Sequence, residues 1–255
     1  MPAVPEPNLP TLLPALLPVL ALDTSTENIA AALHTGEASF TVLASGGAAA
    51  SAQLLPQLRG LLDRAGLKLS DLRSIAFGMG PGAFTGLRTA CAVAQGLGFG
   101  LGRPLLPLDS LLIVAEDARL QAGVTHTPWD IGVAVDARMD EAYAARFRWT
   151  GQDWKTLQAP ALLTLAGLTQ AWSALPEQAL AGSALRAYGQ RLLLPSQAPR
   201  FEHEHDRAAA LLRLAHAAAL TGPGINPAQA LPLYLRDKVA QTTAERAATK
   251  AALAA

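Results

Sequence analysis

Ile75-Ala76-Phe77-Gly78-Met79-Gly80-Pro81-Gly82-Ala83-Phe84-Thr85-Gly86-Leu87-Arg88 decides how this chain is read. The stretch predicts a buried strand, a glycine-rich turn and the start of a helix. Ser74 to Phe77 supply the apolar run. Gly78, Gly80 and Gly82 permit backbone angles that other residues resist. Pro81 stiffens the turn and donates no N–H. A helix then runs from Ala83 to about Gly98, and its first-turn N–H groups lack intrahelical partners. Such a turn can bind an anion, or it can be a tight, empty strand-to-helix connection. With no Lys or Ser/Thr in P-loop register, the empty connection is preferred.

The helix after the turn carries many small residues. Gly86, Ala90, Ala94 and Gly98 recur every four residues, and Ala92, Gly96 and Gly100 form a second row. Each glycine inside a helix costs roughly 1 kcal/mol relative to alanine. Close backbone approach to a sheet or to another helix is the expected return. Arg88, Gln95 and Arg103 interrupt the stretch, so the membrane reading of small-residue spacing fails.

The chain has 255 residues, of which 51% are apolar, enough for one large domain or two small ones. Twenty basic and twenty acidic residues cancel. Autonomous gripping of a phosphate backbone usually needs a basic excess, so a stand-alone RNA- or DNA-binding module is disfavoured. The single Cys91 excludes an internal disulfide and fits a reducing cytosol. Leu9 to Leu22 is mostly apolar, but no Lys or Arg precedes it and Pro10, Pro14 and Pro18 break any helix. Residues 1–18 therefore read as a proline-rich extension, and the protein as cytoplasmic with no membrane partner.

Val19 to Ser25 is an apolar strand ending in polar turn residues. Asn28 to His34 and Ala38 to Ala44 are the next two strands, turned at Glu27-Asn28 and Thr35-Gly36. Asp23, Thr24, Ser25 and Thr26 thus crowd one loop, which can receive a phosphate or a metal-bound water. Asx and Ser turn chemistry explains the same residues equally well. Ser51 is a fair N-cap for a helix to Ala65, with Leu54, Leu55, Leu58, Leu61, Leu62 and Ala65 as its apolar stripe. Pro56 should kink or shorten its first turn. Pro104 to Leu108 is a strand, and Asp109 and Ser110 cap a helix to about Gln121. Ile131 to Arg138 and Glu141 to Trp149 are strands that echo the start of the chain in pattern, with Asp136 in the place of Asp23. Beyond Trp154 the pattern weakens: Leu162 to Leu175 looks helical, Ala179 to Gly182 a short strand, and Ala208 to Leu220 a strong helix closed by Gly222-Pro223-Gly224. Pro232 to Arg236 is extended, and the tail from Gln241 reads as frayed helix or disorder.

No His-x-x-x-His or Cys-x-x-Cys spacing occurs, nor a Gly-x-Ser-x-Gly elbow or a P-loop. No metal and no catalytic residue is expected. Asp136, Asp140 and Glu141 beside Arg138 read as salt-bridged turn residues.

Leu22-Asp23-Thr24-Ser25, the block Phe77 to Arg88, Val135-Asp136-Ala137-Arg138-Met139 and Tyr234-Leu235-Arg236 resemble the TsaB family. Those members are the dimerisation subunit of the bacterial machinery that makes threonylcarbamoyladenosine (t6A) at position 37 of tRNA. The resemblance implies an α/β, two-lobed actin/Hsp70/sugar-kinase-like (ASKHA) fold of βββαβα units, with mixed central sheets flanked by helices. The first lobe would span 19–109, taking back helix 208–220, the second 110–207, and 221–255 would form an extended segment and tail. It implies a heterodimer with TsaD, recruitment of the ATPase TsaE, and tRNA contact only through that complex. Without the partner, the resemblance is compatible with either a homodimer or a monomer. No tightly bound cofactor is expected, with ATP or ADP entering at the level of the complex. The wider family carries the label glycoprotease-like, but without ligands or a nucleophile this chain has no basis for peptidase activity. The family's His before the first helix's Leu-Leu-Pro is replaced here by Ala50-Ser51-Ala52-Gln53.

In that family the subunits meet through corresponding helices. The docking face is therefore placed on Ser51, Gln53, Leu54, Gln57 and Leu58 of the first helix, with Phe84, Arg88, Cys91, Ala92 and Gln95 of the second. Asp23, Thr24, Ser25 and Thr26 take the position of the fold's phosphate loop. That position keeps an active ATPase or small-molecule kinase as the alternative function.

Overall fold

The computed structural model describes residues 16–173, 179–194 and 197–236. The first fifteen residues of the extension and the tail from 237 lie outside it. Strands β1 (Val19–Asp23), β2 (Asn28–His34) and β3 (Ser39–Ser45) lead into helix α1 (Ala50–Ala65). Then follow β4 (Ser74–Gly80), α2 (Phe84–Leu101) and β5 (Leu105–Asp109). They form one sheet in the order β3-β2-β1-β4-β5. Its first three strands are antiparallel, and β1, β4 and β5 are parallel.

Helix α3 (Ser110–Gln121) then leads to β6 (Trp129–Asp136), β7 (Glu141–Trp149) and β8 (Trp154–Thr164). After these come α4 (Leu165–Trp172), β9 (Ala179–Ala181), α5 (Ser183–Tyr188), β10 (Arg200–Phe201) and α6 (Arg207–Thr221). The second sheet is ordered β10-β9-β6-β7-β8. It repeats the first with β6 in the place of β1, again antiparallel on one side and parallel on the other. The echo in the sequence is thus a duplicated βββαβα unit, the two-lobed arrangement that the resemblance implies.

Alternation of side chains across each strand sorts the core into layers. Leu20, Leu22, Ile29, Ala31, Leu33, Ile75 and Phe77 face α1 and α2, meeting Leu54, Leu58, Leu61, Ala90 and Ala94. Val19, Ala21, Ala30, Ala32 and Ala76 face the other way, against Ala210, Leu211, Leu214 and Ala215 of α6. Alanine on both sides lets α6 lie close on the sheet. In the second sheet, Ile131, Val133, Ala145 and Phe147 meet Leu111, Val114, Ala115 and Ala118 of α3. So α3 follows the first sheet but covers the second, and α6 follows the second but covers the first.

Several expectations are corrected. The segment Leu162–Thr164 is strand, because β8 pairs with β7 from Glu141↔Thr164 to Trp149↔Trp154. That ladder outweighs the local helical spacing, and the helix starts only at Leu165, with Thr164 Oγ1 accepting from Gly167 N. Helix α1 begins at Ala50 after a short 3₁₀ turn, so Ala49 is its N-cap and Ser51 lies inside the first turn. Pro56 is accommodated within a continuous α1. Helix α2 extends to Leu101, where Gly102 takes a left-handed φ of 62° and its N–H donates to the Gly98 and Phe99 carbonyls.

Candidate functional site

The loop at the end of β1 is closed on itself. The Asp23 side chain is fully buried. Its Oδ1 accepts from Ser25 N at 3.1 Å, Ser25 Oγ at 2.8 Å and Arg207 Nε at 3.0 Å. Its Oδ2 accepts from Ser110 Oγ at 2.9 Å, and Ser110 Oγ accepts from Gly80 N at 3.1 Å. Arg207 also donates to Ser25 Oγ at 2.8 Å, to the Ser110 carbonyl and to Glu204. Thr24 Oγ1 donates to the Gly86 carbonyl at 2.7 Å, and Thr26 Oγ1 accepts from Asn28 N. Burial alone would raise the Asp23 pKa, but the Arg207 guanidinium and the Ser25 donors hold it below its ordinary value. Burial opposes the charge on Arg207 too, and Asp23 and Glu204 more than restore it, raising its pKa.

The glycines of the quoted stretch explain how this loop is reached. A Cβ on Gly78 would stand 1.7 Å from Asp23 Oδ2, one on Gly82 2.6 Å from the Ser25 carbonyl oxygen, and one on Gly86 1.7 Å from the Thr24 carbonyl oxygen. The turn is the tight connection, packed against this chain's own Asp23–Ser25 segment. Ala83 N donates to the Ser25 carbonyl at 2.8 Å. Arg207 carried no signal in the sequence beyond its place behind Asp206, the cap of α6.

The ten residues of the expected docking face separate into three groups. Leu54 (0% exposed), Leu58 (2%) and Cys91 (4%) are core. They hold the helices on the sheet and are not available to a partner, since the apolar stripe of an amphipathic helix faces its own sheet. Phe84, Arg88 and Gln95 face the segment 225–236, which runs back along α2. Gln95 Nε2 donates to the Pro227 and Ala230 carbonyls at 3.2 and 3.0 Å, and Cys91 Sγ to the Ala230 carbonyl. Arg88 Nε donates to Tyr234 Oη at 3.0 Å, with its guanidinium 3.9 Å from the Phe84 ring centroid. Ser51, Gln53 and Ala92 are exposed, and Gln57 is half-buried.

The outward stripe of α2 is Thr85, Ala92, Gly96 and Phe99, all exposed. A Cβ on Gly96, on Gly100 or on Gly60 of α1 would meet nothing within 4 Å. Gly86 and Gly98 are different: Gly98 is pressed by Pro227 and Leu105. Two small-residue rows therefore serve two purposes, one internal and one facing outward.

The second lobe's counterpart of the Asp23 loop is a left-handed turn. Arg138, Met139 and Asp140 have φ of 65°, 57° and 58°, a conformation that costs roughly 1–2 kcal/mol per non-glycine residue. Its acidic neighbours are paired as the sequence suggests, Asp136 with Arg138, but Asp140 pairs with Arg191 and Glu141 with Arg236. Among the described residues no cluster of three or more His, Cys, Asp or Glu side chains could hold a metal. No helix among them is long and apolar enough to cross a membrane.

Asp109 accepts from Leu111 N at 2.8 Å and Leu112 N at 3.4 Å as the cap of α3. Burial pushes its carboxyl up to about 6 against those two donors. A folded pKa above the unfolded value stabilises fully below the unfolded value of 3.8 and is lost as pH rises through about 6. We expect the wild type to lose on the order of 1–2 kcal/mol across that window through this group. Asp109→Asn keeps the cap and should flatten that part of the profile. Urea unfolding at several pH values checks this, and an unchanged slope in the variant would contradict it.

Comparison with known proteins gives a consistent picture. The family described as TsaD, tRNA N6-adenosine threonylcarbamoyltransferase, matches residues 44–199. The tRNA threonylcarbamoyladenosine biosynthesis protein TsaB of Escherichia coli is 28% identical over 240 residues, covering 87% of this chain and 96% of its own. TsaB of Haemophilus influenzae is 39% identical over 129 residues, 50% of this chain and 52% of its own. A crystal structure from Pseudomonas aeruginosa, of a protein described as similar to the peptidase YeaZ, superposes with a TM-score of 0.76 at 36% identity. It covers 86% of this chain and 99% of that one.

Proposed function

Because this chain belongs to the TsaB family, within the wider TsaD-type family, we propose that it is a non-catalytic dimerisation subunit for tRNA threonylcarbamoylation. It binds TsaD, helps recruit TsaE, and meets tRNA only through that complex. The observation that carries the reading is the outward stripe on α2. Gly96 and Gly100 weaken a helix by roughly 1 kcal/mol each relative to alanine. Nothing among the described residues needs their lack of a side chain. A foreign helix packed at close range does. Alone, the same stripe would serve a homodimer.

An active ATPase or kinase of the same fold is the weaker reading. Each polar side chain of Asp23–Thr26 is engaged within the chain, and a phosphate would have to displace the Arg207 guanidinium. ATP or ADP enters at the level of the complex. ATP turnover by the purified chain separates the two readings.

The docking test uses Ala92→Trp and Gly96→Leu on the full chain. Both positions are exposed, so thermal stability should stay within a few degrees of wild type. Affinity for TsaD should fall by at least about tenfold, since bulk blocks helix approach. Unchanged affinity in both variants would place the docking face elsewhere.

A further inference from the structure

The segment 225–236 has no ladder or helix of its own beyond a short 3₁₀ turn at Pro227–Gln229, yet it is anchored at every stage. Ile225 exchanges two backbone bonds with Leu105 of β5, at 2.7 and 2.9 Å. Ala230 is fully buried, with its carbonyl held by Gln95 and Cys91 of α2. Leu233 N donates to the Met79 carbonyl at 2.7 Å, where β4 enters the glycine-rich turn. The Tyr234 ring lies 5.3 Å from the Phe84 ring and its hydroxyl accepts from Arg88. Arg236 then crosses to the second lobe. It donates to the Ala137 and Arg138 carbonyls at 2.9 and 3.3 Å, pairs with Glu141, and contacts Met139 Sδ at 3.0 Å.

We propose that residues 225–236 are a strap that couples the docking helix α2 to the left-handed turn 137–141 of the second lobe, with Arg236 as its latch. The inference rests on α2 as the docking helix of the proposed function. The turn holds non-glycine residues in a sparsely populated conformation. Arg236 supplies donors to its carbonyls and a counter-charge to Glu141, so the turn's geometry depends on where Arg236 is held. That position is set from the other end by Tyr234 on Phe84 and Arg88. Arg88 and Ala92 are i, i+4 neighbours, and Leu231 and Tyr234 are 72% and 43% exposed on the same strap. A helix seated on the Ala92 stripe therefore bears on the strap as well. Any such linkage is reciprocal: what orders the turn must favour the docked state by the same factor.

Amide hydrogen exchange on the full chain tests the coupling. In the free protein, Tyr234→Ala should speed exchange at 138–141 by about fivefold or more, although the Tyr234 ring and hydroxyl are engaged by Phe84 and Arg88 of the first lobe. Arg236→Ala should do the same directly. With TsaD bound, the wild type should show slowed exchange at 138–141, and Arg236→Ala should bind TsaD without that slowing. The strap is not a connection if Arg236→Ala loosens the turn while Tyr234→Ala leaves it within about twofold of wild type. The latch is wrong if Arg236→Ala leaves the turn unchanged. If the wild type fails to bind TsaD, the proposed function fails, and the free-chain comparison still decides the strap.

Discussion

Arg207→Ala is expected to cost about 3–5 kcal/mol of folding stability, because it leaves the fully buried Asp23 carboxylate without its counter-charge. Two bonds to the Asp23–Ser25 loop, at Asp23 Oδ1 and Ser25 Oγ, start from this guanidinium, which also holds the Ser110 carbonyl. The pH dependence should change sign with it. In the wild type the Asp23 carboxyl lies below its ordinary value of 3.8. Its contribution is therefore present above that value and lost as pH falls through the still lower folded value. Without Arg207 the Ser25 donors are left to oppose burial, the Asp23 pKa rises, and mild acid should stabilise the variant. The double variant Asp23→Ala, Arg207→Ala should recover part of the loss, since removing both charges avoids the unpaired one. Urea unfolding of the three chains near neutral pH and in mild acid decides the matter. A single variant within about 1 kcal/mol of wild type would show that Arg207 does not carry the loop.

Gly86→Ala should be the second large loss. In an exposed helix interior the change to alanine gains roughly 1 kcal/mol. At Gly86 the new Cβ would fall 1.7 Å from the Thr24 carbonyl oxygen, backbone against backbone, with no flexible side chain to give way. The first turn of α2 would have to lift from the loop, breaking the Thr24 Oγ1–Gly86 carbonyl and Ala83 N–Ser25 carbonyl bonds. A loss of about 3 kcal/mol or more is expected. Gly96→Ala, ten positions further along the same helix, meets open space and should gain up to about 1 kcal/mol. Opposite signs at two glycines of one helix, read by chemical denaturation side by side, are the check. A Gly86→Ala chain as stable as wild type would overturn the packing argument.

Much of the first lobe was legible because its signals are local. Period-two alternation from Val19 to His34, the glycine punctuation from Gly78 to Gly86 and the Asp109 cap each depend on residues a few positions apart. The small residues of α2 announced close approach, but not which row faced inward. Where the reading weakened, from Trp154 onward, local spacing competed with a long-range ladder. The pairing of β8 with β7 won because it satisfies backbone groups along the whole strand.

By itself, then, the amino-acid sequence determined the βββαβα unit, the tight glycine turn and the family to which the chain belongs. Only the tertiary structure decided that Arg207 closes the loop on Asp23, 184 positions away, and that Tyr234 lies on Arg88 across 146 positions. It also decided that Leu54, Leu58 and Cys91 are core while Ala92 and Gly96 face outward. The physical reason is the same in each case. A helix's periodicity states that its faces differ, but which neighbour covers each face depends on elements brought together by the duplicated topology, and no short-range pattern encodes that.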